Sequence, residues 1–232
     1  RNKEITFKFK PMKNITPEPL KHVEQIETFS EPPIRVYEYG GEIQPILEFL
    51  SKEKFVHSNG NVKSENVWLF EEPIFADLKE FCLQACQEYA KDITDTEQEL
   101  EIQQSWANVN EPGMMNPQHW HSNSFLSGTF YLISAQEKGA PIVFSTRSRN
   151  FSLYLEPTER YEPTDQVEHN KYMASAVNVA SVPGSLVVFS SLMPHQVPGN
   201  ESDSVRISLS FNTFPKRPFG YDTDLNSVKY FS

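Results

Sequence analysis

Cysteine is almost missing from this 232-residue chain, which has only Cys82 and Cys86. Two thiols make no disulfide framework. They stand four apart in "EFCLQACQEYA", a stretch with helical spacing, and there they read as small buried apolar side chains rather than a redox pair or metal grip. Long hydrophobic runs are also absent: nothing is long enough to span a bilayer, and no stretch reads as a signal peptide. Positive charge is in the minority, with 21 Lys and Arg against 31 Asp and Glu, a net charge of −10. A surface of that sign repels phosphate backbones and anionic lipid, which argues against nucleic acid or membrane as a general partner. A soluble, cytoplasmic protein is the expectation, with a homodimer the simplest assembly. There is no internal repeat and no low-complexity segment.

What the chain does have is core-forming material: 38% hydrophobic residues, 12% aromatic, 17 of them Phe. That suffices for one packed domain without disulfides. Residues 1–40 read as strand and loop wrapped on the body. "GEIQPILEFLSKEK" (41–54) has helical spacing at Ile43, Ile46, Leu47 and Leu50, and "SNGNVKSEN" reads as a turn-rich loop. "FADLKEFCLQACQEYAKDI" (75–93) is the strongest helix, with Leu78, Phe81, Cys82, Ala85 and Tyr89 on one face. From residue 99 the pattern turns to strands: "LEIQQSWANV", "FLSGTFYLI", "APIVFST", "SLVVFSS" and "VRISLSFNTF", punctuated by Gly, Pro and Asn. Residues 149–176 read as a long polar, functional loop; its acidic "EPTERYEPTDQVEH" reads as solvated, and its position between the histidine-bearing strands also suits a lid. The expected organisation is a single α+β, mainly β, domain. Residues 1–98 form a supporting region, 99–214 a β core and 215–232 a tail.

The chemistry concentrates in two stretches. "NPQHWHSNSFLSGTFYL" (116–132) carries His119 and His121, which within a strand would face the same way and offer two imidazoles to a metal; a hydrogen-bonded surface pair is the plainer alternative. "VPGSLVVFSSLMPHQVPGNESDSVRISLSFN" (182–212) places His195 just beyond an apolar strand. There, alternation puts Arg206, Ser208 and Ser210 on one face and Ile207, Leu209 and Phe211 on the other. A buried guanidinium among serines calls for an anion, and a solvated outward Arg is the alternative. His22, His57 and His169 lack spaced partners and read as surface residues.

"HWHSNSFLSGTFYL" together with "PHQVPGNESDSVRISLSFN" resembles the Fe(II)/2-oxoglutarate-dependent oxygenases. The resemblance is to the family typified by H-x-H-x-N-S-x-x-S-G-x-Y-Y-L and R-I-S-x-x-F-N. It covers residues 100–214 well and the front half loosely. It implies a double-stranded β-helix, a cupin-like jelly roll, whose mouth holds Fe(2+). It also implies oxidative decarboxylation of the cosubstrate 2-oxoglutarate, consuming O2, coupled to hydroxylation of a protein prolyl or small-molecule substrate. By the same resemblance His119, His121 and His195 are the metal ligands, His121 standing where the family usually has a carboxylate. A three-imidazole site adds no negative charge and suits Zn, Ni and Cu as well. Arg206, with Ser208 beside it, would hold the far carboxylate of 2-oxoglutarate. "NVNEPGMMNPQHWH" is similar to the N-x-Y-x-P-G-x5-H-x-D of the nucleic-acid dealkylating branch, which implies a cosubstrate contact for Asn108 and leaves Asn110 in place of the Tyr. Tyr131 either supplies a phenol to the cosubstrate or packs in the core. Asn123 is a poor ligand. Gly113 and Gly128 read as turn residues, and Trp106 and Trp120 as packing. Two other readings stay open: a three-His dioxygenase that needs no 2-oxoglutarate, and an inactive β-helix that only binds.

Overall fold

The computed structural model describes residues 22–26, 32–134, 140–145 and 176–229. The proposed lid lies outside them apart from Ala176, as does His169. The described residues form twelve strands and two α-helices: β1 (His22–Ile26), β2 (Ile34–Glu38), α1 (Gln44–Leu50), β3 (Phe55–His57), β4 (Val62–Ser64), α2 (Ala76–Thr94), β5 (Leu100–Asn110), β6 (Asn116–His119), β7 (Leu126–Ile133), β8 (Ile142–Ser145), β9 (Ala176–Val179), β10 (Ser185–Ser190), β11 (His195–Val197) and β12 (Arg206–Pro215). They assemble into an eight-stranded sheet, order β1-β2-β10-β7-β12-β5-β4-β3, and a four-stranded sheet, order β6-β11-β8-β9. Neighbouring strands pair antiparallel throughout. Among the described residues no helix is long and apolar enough to cross a membrane.

The central strands β7, β10 and β12 of the large sheet are buried on both faces, and their alternation sorts side chains between two layers. Ile207, Leu209 and Phe211 of β12 turn outward into a core shared with Leu78, Cys82, Ala85 and Cys86 of α2 and with Leu47 and Leu50 of α1. Both cysteines are fully buried there, as their spacing suggests, and burial pushes both thiols up. Helix α2 ends where Asp95 enters the left-handed region (φ 51°). Helix α1 is shorter than its spacing suggests, opening at a Pro-bearing first turn and closing at Ser51. The inward face of the large sheet meets the small sheet over Ile34, Val36, Phe144, Val187 and Phe189.

Two sequence expectations need correction. "SNGNVKSEN" is not all loop: Val62–Ser64 pairs with Phe55–His57, the turn passing through Gly60 at φ +95°, and Val62 and Lys63 then pair with Val109 and Asn108 of β5. Gly113 does sit in a turn, at φ +80°. Gly128 does not; it lies within β7, where a Cβ would stand 2.2 Å from the Phe211 ring, so the absent side chain makes room for that ring.

Candidate metal centre and anion pocket

Strand pairing builds the site from distant parts of the chain. β6 ends at His119, β11 begins at His195, and the register sets these two residues directly opposite. Their ring centroids are 4.4 Å apart. His121 lies beyond the end of β6, so the two histidines are not same-face neighbours in one strand as the spacing suggests. A turn brings His121 back, fixed by its backbone N–H donating to the Ser191 carbonyl at 2.9 Å. The His121 ring then stacks 5.2 Å from His119 and lies 5.1 Å from His195. One ring nitrogen of each histidine falls within 4.8 Å of the others, a set that could hold a metal ion.

The hydrogen bonds behind the rings decide which nitrogen is presented. His119 Nδ1 contacts the Pro117 carbonyl at 2.7 Å, and His195 Nδ1 the Met193 carbonyl at 2.9 Å. His121 Nδ1 lies 2.5 Å from Asn212 Oδ1 and 2.9 Å from Ser127 Oγ. Carbonyl oxygens only accept, so each Nδ1 carries a proton, and in the neutral ring this leaves the lone pair on Nε2, the atom a metal would take. Burial lowers the His121 pKa, and it lowers that of His195 to about 3. Both rings are therefore neutral at physiological pH without help from a metal. Asn123 sits exposed in a turn at φ +56°.

The three histidines, Arg206, Ser208 and Asn108 line one cleft of about 320 Å³, at the small end of ligand pockets. Arg206 is the largest side chain buried to this degree, 1% exposed. Its partners are neutral and distant: one terminal nitrogen donates to Asn110 Oδ1 at 3.2 Å and Ser208 Oγ at 3.3 Å. Its Nε has no hydrogen-bond partner, and no ion pair involves it among the described residues. The guanidinium lies 5.0 Å over the Tyr131 ring, and the buried Tyr131 hydroxyl is likewise unpartnered. A buried cation short of acceptors beside an orphaned hydroxyl is a fit for a carboxylate. Asn108 is held by Asn61 and Ser210, both at 3.0 Å, with its amide in the cleft wall.

Asn110, which the resemblance leaves in place of the Tyr, is a partner of Arg206 and is itself fixed by donating to Asn116 Oδ1 at 2.9 Å. Sequence reasoning missed the support of His121. Behind His121 stands a chain of hydroxyls, Ser127 bonded to both Asn212 and Ser191. The signal was present in the closing Asn of "RISLSFN". The tryptophans are not core packing: Trp106 lines the cleft with its ring 5.9 Å from His121, while Trp120 is 59% exposed because its neighbours on either side turn inward. His57 is exposed, as expected.

Residues 104–212, which hold every one of these groups except Asn61, match the family described as "Putative 2OG-Fe(II) oxygenase". This segment, a little under half of the chain, resembles that family. No curated protein matches the chain by sequence. Solved structures agree on the fold. A 2OG-Fe(II) oxygenase family oxidoreductase from Burkholderia pseudomallei is 14% identical, with a TM-score of 0.50 over 74% of this chain and 77% of its own. HygX from Streptomyces hygroscopicus, solved with nickel, 2-oxoglutarate and hygromycin B, is 14% identical, with a TM-score of 0.55 over 87% of this chain and 92% of its own. SnoN, an α-ketoglutarate-dependent epimerase of nogalamycin biosynthesis, is 12% identical, with a TM-score of 0.55 over 80% of this chain and 79% of its own. The two facing sheets are the jelly-roll core of this oxygenase fold.

Proposed function

We propose that the chain is an Fe(II)/2-oxoglutarate-dependent dioxygenase that hydroxylates a small molecule or a protein prolyl side chain through a three-histidine centre. The observation that carries this reading is the coincidence, in one cleft, of three imidazoles with free Nε2 atoms and a buried arginine short of acceptors. Iron(II) held there supplies the redox chemistry that couples decarboxylation of 2-oxoglutarate, to succinate and CO2, with O2-dependent hydroxylation of the substrate.

The chain's own residues orient and exclude. His119, His121 and His195 would hold the metal, which when bound would take up cosubstrate and O2. The carbonyls of Pro117 and Met193 and the amide of Asn212 lock the rings in the ligating tautomer. Arg206 takes the far carboxylate of 2-oxoglutarate, the unpartnered Nε and the Tyr131 hydroxyl supplying the donors that Asn110 and Ser208 leave over. Asn108 and Ser208 flank it from neighbouring strands. Phe144 and Phe189 pack on His195, at centroid distances of 5.9 and 4.8 Å, and keep water from that side of the centre.

The test is anaerobic titration of Fe(II) and then 2-oxoglutarate into metal-free protein, following the visible metal-to-ligand charge-transfer absorption. The wild type should develop the band, His121→Ala should lose it, and Arg206→Met should need at least tenfold more 2-oxoglutarate, the loss of one charge-assisted bidentate contact. Stoichiometric metal uptake with no band would favour a 2-oxoglutarate-independent three-His dioxygenase. No metal uptake would leave a binding module.

A further inference from the structure

We infer that Lys63 is an anion anchor for the substrate, so that the molecule oxidised carries a carboxylate or phosphate group. This rests on the function proposed above and names the substrate class that the same cleft would take. In a chain with 31 acidic residues, none of the described residues lining the cleft is acidic, while Lys63, Arg206 and the three histidines all line it. Lys63 is half-buried on β4, opposite Asn108, which is opposite Ser208 on β12. Arg206 lies one inward-facing step further along β12. Two strand spacings of ~4.8 Å separate β4 from β12, about 10 Å of sheet. That leaves room for two separate anions, one at each cation.

Lys63 also has no partner among the described residues. Lys79, Lys91, Lys216 and Lys229 each pair with a carboxylate at 2.7–2.9 Å, and among the described residues only the exposed Lys52 and Lys54 share with Lys63 the lack of one. Lys63, in the cleft wall, makes no hydrogen bond or ion pair among the described residues. A divalent metal plus Arg206 and Lys63 outweighs the dianion 2-oxoglutarate, and the loaded cleft stays positive. A second anion beside Lys63 offsets part or all of that charge, and a cationic substrate is repelled. The half-buried ring of Trp106, on the same face of β5 two residues from Asn108, offers a flat wall next to that position.

The test uses Trp106 fluorescence. With Trp68→Phe and Trp120→Phe as background, Trp106 is the sole tryptophan, since the chain has three. Protein loaded with nickel(II) and 2-oxoglutarate is quenched with iodide, an anion, and with neutral acrylamide. One cation about 7 Å from the ring raises local iodide about twofold at low ionic strength. Lys63→Met should therefore halve iodide quenching and leave acrylamide quenching unchanged, and Lys63→Arg should restore it. At constant ionic strength, acetate or inorganic phosphate should suppress iodide quenching in the wild type only, and whichever competes better identifies the group. An iodide-to-acrylamide ratio unmoved by Lys63→Met overturns the inference. So does a Lys63→Met protein whose 2-oxoglutarate requirement rises as that of Arg206→Met does, which would make Lys63 part of the cosubstrate anchor. Failure of the wild type to bind 2-oxoglutarate at all would sink the function proposed above instead, and the titration reports that separately.

Discussion

The sharpest test of the metal centre is a residue that touches no metal. Asn212 Oδ1 is the acceptor that holds the proton on His121 Nδ1, and Ser127 Oγ stands at 2.9 Å as a second acceptor. Replacing Asn212 by Leu keeps the volume and removes the acceptor. The imidazole can then rotate or move its proton to Nε2, and either change spoils it as a ligand. Loss of such a supporting bond lowers metal affinity about 10- to 100-fold, or about 1.4–2.7 kcal/mol. Because Ser127 can take over, the single variant should sit near tenfold and Asn212→Leu with Ser127→Ala near a hundredfold. Asn212→Asp, which keeps an acceptor and adds charge, should bind at least as well as the wild type. The assay is nickel(II) competition against a chromophoric chelator at pH 7, with circular dichroism to confirm the fold. Affinity within twofold of wild type in the Ser127/Asn212 double variant would refute the idea that these groups set the His121 tautomer.

Other outcomes follow from the same geometry. Tyr131→Phe removes an unpartnered buried hydroxyl, so metal-free protein should gain about 1 kcal/mol in urea denaturation while 2-oxoglutarate affinity falls about tenfold; unchanged affinity would make Tyr131 a core residue only. Gly128→Ala drives a methyl to 2.2 Å from the Phe211 ring and should cost about 1–3 kcal/mol of folding stability, partly recovered by Phe211→Leu. Burial holds His195 at about 3 in the folded state, below the ordinary ~6.5 it has unfolded. Its contribution to metal-free stability is therefore complete above pH 6.5 and is lost as pH falls toward 3, by up to about 1.4 kcal/mol per pH unit. Urea denaturation at pH 7 and pH 5 should show that slope, and His195→Gln should lack its share of it.

How much of this could be read in advance depended on length and periodicity. Helix α2 and strands β5, β7, β10 and β12 are long enough for their alternation to show, and β12 declared its two faces outright: Arg206, Ser208 and Ser210 against Ile207, Leu209 and Phe211. Short or polar elements gave no such signal. β4 is three residues inside a Gly- and Asn-rich stretch and exists because β5 offers it a ladder, so Lys63 could not be placed in a cleft wall from its neighbours. The histidine pair was legible as a pair but not as a geometry, because His121 is set by a turn tied to Ser191. The support of His121 by Asn212 crosses 91 positions. It depends on β12 pairing with β7 so that Asn212 meets Ser127, a property of register at which only the closing Asn of "RISLSFN" hinted.

The electrostatics of the site join these pieces. A carboxylate ligand would offset part of the metal's charge within the protein; three neutral imidazoles offset none. Arg206 is buried with only dipoles for company, so the metal-free cleft already holds an uncompensated cation, and a divalent ion raises the local potential further. In the proposed reading, both strains are relieved by one molecule, the dianion 2-oxoglutarate, whose two ends answer the metal and Arg206 together. Metal and cosubstrate must then strengthen each other's binding by the same factor, since linkage between two sites is reciprocal. The size of that factor should grow with the charge left unmatched. A three-histidine centre beside a fully buried arginine thus favours metal and 2-oxoglutarate arriving as a coupled pair, and the remaining positive charge at Lys63 is what the substrate then meets.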